Sequence, residues 1–198
     1  MLQRSRLSVA VLVVLAAALA AATAGRADPL LGGGCGATAP AFAPWGDVSD
    51  YYFPANGGFE SGAAGWTLSG GAAVVAGNEP FFLHDAGDSH ALAIPAGGGA
   101  SISLCYGVFY PALRFMVSGA GARVHVWIST QNLLGVVSIL DGGTFTAGSG
   151  WAPSPRLSTL LSALVAPLGT KSMRLHVDVG GAPAEIDDLY VDPYVMRS

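Results

Sequence analysis

Beyond residue 56 the chain alternates apolar and polar positions in short runs, and glycine-rich turns separate one run from the next. The runs fall at 66–68, 72–76, 91–94, 101–106, 113–118, 122–130, 134–140, 172–179 and 186–191. Alternation with period two over so few residues, ended by glycine or proline, predicts an all-β sandwich or barrel. The one helical candidate is 157–165, which reads equally well as a strand leading into a loop. Residues 25–55 carry Gly32-Gly33-Gly34, Pro40, Pro44 and Pro54 and read as a loop-rich prologue packed on a domain spanning 56–198.

Three runs alternate most cleanly. In Arg123-Val124-His125-Val126-Trp127-Ile128 the aliphatic residues take one side and Arg123, His125 and Trp127 the other. Over 173–179 Arg174, His176 and Asp178 take the polar side, and over 113–118 Arg114, Met116 and Ser118 do. This is the half-buried pattern of an antiparallel sheet with one face open.

The first 24 residues read as a cleaved signal peptide. Arg4 and Arg6 precede an apolar run, and Ala22-Thr23-Ala24 fits a small-residue cleavage site. The run is short and alanine-rich for a membrane anchor, and no later stretch is long enough to span, so a secreted protein is expected. About 170 residues then remain, one domain with room for a core. Apolar residues make up 52% of the chain, which favours a buried core over disorder despite 28 glycines and only 11% charged residues. The net charge of −4 gives a nucleic-acid role no electrostatic support. Cys35 and Cys105 are the only cysteines. In an exported protein such a pair reads as a disulfide, closing a loop of roughly 70 residues worth up to roughly 4 kcal/mol. A metal site would want closer spacing, and a reactive thiol a cationic neighbour.

Asn56-Gly57-Gly58-Phe59-Glu60 followed by Gly65-Trp66 resembles the opening of the jelly-roll carbohydrate-binding modules of the galactose-binding-like superfold. Ala184-Glu185-Ile186-Asp187-Asp188-Leu189-Tyr190-Val191 looks like their closing strand, and 87–94 is similar to an early one. The Cys35-bearing prologue and the Arg114-Phe115-Met116 strand also look like exported actinobacterial proteins built on this plan. The resemblance implies a two-sheet antiparallel jelly-roll sandwich with first and last strands adjacent, and a structural calcium where they meet. Glu60 and Asp187 match its acidic positions, with Asp88 a third candidate. The alternative is a solvated Glu60 and an Asp187 that caps backbone amides. Asp188 is expected on the opposite face from Asp187, so at most one of the two would point at an ion.

The resemblance also places the three alternating strands side by side, so that Arg114, Arg123, His125, Trp127, Arg174, His176 and Asp178 share one face. An aromatic ring beside hydrogen-bonding groups suits a sugar, whose C–H face stacks and whose hydroxyls bond. The alternative is a solvated or loop-covered sheet. Trp66 and Trp151 read as core or rim packing, and Trp45 with Tyr51, Tyr52 and Phe53 as aromatics that staple the prologue down or rim a ligand. His84, Asp85, Asp88 and His90 read as an ordinary polar turn after Pro80. No nucleophile elbow, flanking carboxylate pair or phosphate-cradling loop is present, so no enzymatic chemistry is expected. The expected job is non-catalytic binding of a carbohydrate or other cell-envelope ligand, with an exported structural or protein-interaction domain as the alternative.

Overall fold

The computed structural model describes residues 35–105, 112–158 and 170–192. The leader expected over 1–24, the start of the prologue and 159–165 of the helical candidate lie outside the described residues. The strands are β1 Thr38–Ala39, β2 Tyr51–Tyr52, β3 Trp66–Ser69, β4 Ala73–Ala76, β5 His90–Ile94, β6 Gly99–Ser103 and β7 Ala112–Ser118. They continue with β8 Arg123–Asn132, β9 Val137–Thr146, β10 Ala152–Pro153, β11 Leu157–Ser158, β12 Thr170–Gly180 and β13 Ala184–Asp192. A single 3-10 turn, Ala43–Trp45, is the only helical element among the described residues.

Two antiparallel sheets face each other. One runs β3-β6-β12-β8-β9; the other runs β1-β2-β13-β5-β4, with β7 on the far side of β13 and β10 and β11 paired to β7. The aliphatic side of each alternating strand points between the sheets. Val124, Val126 and Ile128 of β8 and Leu175 and Val177 of β12 meet Leu92, Ile94, Leu113, Phe115, Ile186 and Val191 of the opposite sheet in one core. Period-two alternation thus forms the sandwich by presenting a continuous apolar face from each sheet.

The opening motif becomes a knotted turn. Asn56 donates through Nδ2 to the carbonyls of Gly62 (2.8 Å) and Ala64 (2.9 Å), and its Oδ1 accepts from the Ser61 amide. Trp66 Nε1 donates to the Asn56 carbonyl at 3.0 Å, and its ring packs on Phe59 in the core. Cys35 and Cys105 are disulfide-bonded, with Cα atoms 5.4 Å apart, which ties the prologue to the end of β6.

The prologue carries two short strands: β2 pairs with β13, and β1 with β2, so residues before 56 extend a sheet. One expectation is corrected: the three alternating strands are not all neighbours. β8 and β12 pair over ten registers, from Thr170↔Asn132 to Gly180↔Arg123, whereas β7 lies in the other sheet against β13. Arg114 therefore does not share a face with Arg123, His125, Trp127, Arg174, His176 and Asp178. Alternation reports that a strand has two unlike faces and says nothing about which sheet it joins.

Candidate ligand face and a buried acidic cluster

The outer face of the β3-β6-β12-β8-β9 sheet is polar and open. His176 of β12 sits opposite Trp127 of β8, and the two rings stack, centroids 3.6 Å apart and 3° from parallel. Trp127 Nε1 donates to Asp178 Oδ2 at 2.7 Å, and His176 Nε2 lies 2.9 Å from Ser129 Oγ. Arg174 donates to Ser101 Oγ (3.1 Å), Ser103 Oγ (3.3 Å) and Thr67 Oγ1 (3.4 Å), spanning three strands. His125 Nε2 meets Asp141 Oδ1 at 3.1 Å. Arg123 and His125 border an open depression with Thr144, Asp178 and Gly180. Burial, opposed by the Asp178 charge and helped by Arg174, holds His176 below the usual imidazole pKa. At neutral pH the stacked pair is therefore an uncharged aromatic plate with charged groups around it.

A β-bulge aims that plate. The β8–β9 register slips between Val126 and Trp127, with Val126 opposite Gly143 and Trp127 opposite Asp141. Gly142 is the extra residue, and a Cβ there would lie 2.9 Å from the Val126 carbonyl oxygen. The glycines permit the bulge, and bulges bend a strand and redirect its side chains.

On the other sheet, Arg114 ion-pairs with Asp47 at 2.9 Å, donates through Nε to the Ser154 carbonyl and lies over the Phe42 ring at 4.8 Å. Burial works against the Asp47 charge, yet hydrogen bonds from Tyr51, Ser49 and Arg114 overcome it and hold its carboxyl below the ordinary value. Arg114 is thus a clamp on the prologue.

The acidic residues arrange themselves unlike the motif-based expectation. Glu60 Oε1 accepts from the amides of Ser89 (2.7 Å) and His90 (2.8 Å), while Oε2 meets Ser89 Oγ and His90 Nδ1. It latches the start of β5 and is largely exposed. Asp187 and Asp188 are both buried, 1% and 0% exposed, because β13 bulges between Asp187 and Tyr190 and Asp188 adopts φ 48°. The expected alternation of the two carboxylates fails there. Both Oδ1 atoms face Gly58, where a Cβ would sit 3.0 Å from Asp188 Oδ1 and 3.8 Å from Asp187 Oδ1.

On this side of β13, β5 pairs as far as Ile186 and β2 pairs only at Val191. The gap is filled by the 77–89 loop and the 54–60 turn. The Gly57 carbonyl accepts from the Leu189 amide, Asp187 Oδ2 from the Glu79 amide and Asp188 Oδ2 from the His84 amide. Buried Glu79 in turn accepts from the amides of Phe81 and Leu83. Burial, then the charges of Asp188 and Glu79, raises Asp187 to about 8. Burial, then the charges of Glu79 and Asp88, raises Asp188 to about 7.

Glu60, Asp187 and Asp88 are not a converging trio of ligating side chains among the described residues. The trio that does converge is His84, Asp88 and Asp188, with one ligand atom of each within 4.8 Å of the others. The polar-turn reading of this segment fits its local bonds, Asp85 to the Gly87 amide and Asp88 to the Asp85 amide and the His84 ring, but does not include the His84 amide's bond to Asp188, about a hundred residues away.

No family model matches the chain and no curated protein is similar to it in sequence. Solved structures are similar in fold. The enzymatically active domain of tailspike protein 4 from bacteriophage CBA120 is 14% identical with TM-score 0.52, over 69% of this chain and 20% of that one. The CBM22-1–GH10 modules of Clostridium thermocellum xylanase 10B, complexed with xylohexaose, are 15% identical with TM-score 0.50, over 71% of this chain and 28% of that one. The chain thus spans less than a third of either. The CBM22-1 xylan-binding domain of Paenibacillus barcinonensis Xyn10C is 16% identical with TM-score 0.49, over 68% and 90%. The fold of this chain is a two-sheet antiparallel jelly roll, similar to these structures.

Proposed function

We propose that the protein is an exported, non-catalytic binder of polysaccharide, and that the outer face of the β3-β6-β12-β8-β9 sheet is its ligand surface. One observation carries the reading: the uncharged Trp127–His176 plate lies beside Arg174, Asp178, Ser101 and Ser129 on an open sheet. A pyranose ring stacks through its C–H face on such a plate, while the flanking groups bond its equatorial hydroxyls. A sheet face several strands wide suits a chain of sugars better than one ring. The xylohexaose complex among the fold neighbours makes β-1,4-linked xylan the first ligand to try. Export accords with the disulfide, and no helix among the described residues is long and apolar enough to cross a membrane.

The test is affinity electrophoresis in gels containing xylan, β-1,4-galactan or glucan, followed by calorimetry with the oligosaccharide of any hit. Retardation that Trp127→Ala and His176→Ala abolish supports the reading. Binding untouched by both variants, or absent from every polysaccharide, sinks it.

A second reading, a protein-interaction domain, rests on the β8–β9 hairpin. Leu133, Leu134, Val136, Val137 and Ile139 are all exposed there, an apolar rim at the edge of the same sheet. Sedimentation of wild type and Leu134→Ser over a range of concentrations separates it from the first.

A further inference from the structure

We propose that His84, Asp88 and Asp188 form a site for a divalent first-row transition ion, best matched by zinc, in place of the calcium that the sequence motifs imply. One nitrogen and two carboxylate donors lie within 4.8 Å of each other. Calcium takes six to eight oxygens and avoids imidazole, whereas zinc is held by a few N and O donors at short range. The second observation is an orphan: Asp188 is 0% exposed, and its Oδ1 has no hydrogen-bond partner. A buried carboxylate oxygen without a donor is costly, and a cation held by the same carboxylate offsets part of that cost.

The surroundings suit a cation. Glu79, Asp187 and Asp188 are buried side by side, and among the described residues no lysine or arginine pairs with them. The trio is also braced as metal ligands usually are. The His84 ring stacks on Phe53, 3.7 Å between centroids and 8° from parallel, and its amide donates to Asp188 Oδ2. Asp88 Oδ2 takes the Asp85 amide at 3.1 Å and lies 2.9 Å from His84 Nδ1. The Asp88 side chain is 8% exposed and that of His84 39%, so an ion has a way in past the imidazole. Bound there, it would clasp the 77–89 loop to β13.

The experiment uses tag-free full-length protein stripped with chelator, then titrated with Zn2+, Co2+ or Ca2+ and followed by calorimetry, melting temperature and the visible absorption of Co2+. One Zn2+ per chain, a raised melting temperature and Co2+ bands that report nitrogen ligation are expected. His84→Ala and Asp88→Asn should each lower the Zn2+ affinity by about tenfold or more, judged against the size of metal-site perturbations. His90→Ala, whose imidazole rests on Glu60, should leave it unchanged. His84→Ala, at a side chain 39% exposed, avoids the folding risk of altering buried Asp188. Zinc binding that survives His84→Ala, no stoichiometric zinc binding, or stabilisation by Ca2+ equal to that by Zn2+ would overturn the proposal.

Discussion

The two outer faces of this sandwich start from the same pattern and end differently. On β8 and β12 the polar side of the alternation faces solvent: among the described residues Trp127, His176, Arg174 and Asp178 bond to one another and to sheet hydroxyls. On β7 and β13 the corresponding side is roofed. Met116 and Tyr190 pack with Phe42 and Tyr51 in a second apolar cluster, and Arg114 is pinned by Asp47, Phe42 and Ser154. The difference lies in what the rest of the chain supplies. Residues 40–53 lie across one face, held by the β2–β13 pairing and the disulfide, and none of the described residues lies across the other in the same way. A strand sequence states that its faces differ; a distant segment decides which face is left for a ligand.

Substitution under the roof and on the open face should break stability and binding separately. Phe42 is fully buried between Tyr51 and Tyr190, so Phe42→Ala should cost about 3–5 kcal/mol, read from the urea midpoint. Trp127→Ala, on a half-exposed plate, should cost roughly 1 kcal/mol yet abolish retardation by polysaccharide. A Trp127→Ala protein that unfolds like Phe42→Ala would show that the plate is structural. Removing the disulfide with Cys35→Ser and Cys105→Ser should come next in size, up to about 4 kcal/mol, because the unfolded chain regains the loop entropy that the cross-link removes.

The open face and the core were readable because they depend on local alternation. Val124, Val126 and Ile128 point inward, and His125 and Trp127 outward, as period two requires. The roof was partly readable: Trp45, Tyr51, Tyr52 and Phe53 read as aromatics that staple the prologue down or rim a ligand, but Phe42 sits among prolines in a segment with no periodicity, and only its contact with Met116 and Tyr190 gives it a place. The placement of Arg114 failed for the same reason. The acidic cluster was half legible. The Asp187-Asp188 pair marked the closing strand, but the bulge that turns both carboxylates inward comes from a gap in strand pairing, which no local pattern encodes. Glu79 gave no signal, since a lone glutamate before a proline reads as loop.

The faces should also differ in their response to pH. Asp187 and Asp188, under the roofed sheet, have folded-state pKa values of about 8 and about 7 against an ordinary 3.8. The native state then holds protons that the unfolded chain releases, so stability is full below 3.8 and declines as pH rises toward about 8. With chelator present, the melting temperature should fall by several degrees between pH 5 and pH 8. A melting temperature that rises over this interval would place the two carboxylates in water. Asp141, on the open sheet, moves the other way. A hydrogen bond from the Gly143 amide, then one from His125, keeps its carboxyl low, and its exposure leaves stability nearly untouched.

The finest comparison sets two arginines side by side, since the sequence treated Arg114 and Arg174 as equivalent. Arg174 reaches across three strands to hydroxyls that water could serve equally well, so Arg174→Lys should leave the denaturation midpoint unchanged. It should still weaken glycan binding by a few-fold, roughly 1 kcal/mol, because a planar fork oriented by Ser101 and Ser103 becomes a mobile point charge. Arg114→Lys should do the reverse. It loses the Ser154 bond and the stacking on Phe42, so the prologue loosens and stability drops, while affinity for polysaccharide holds. If both substitutions weaken binding alike, the roofed sheet contributes to the ligand surface, and the division of labour between the two faces is wrong. If only Arg174→Lys does so, affinity resides on the β12–β8 side, and Arg114 serves the fold alone.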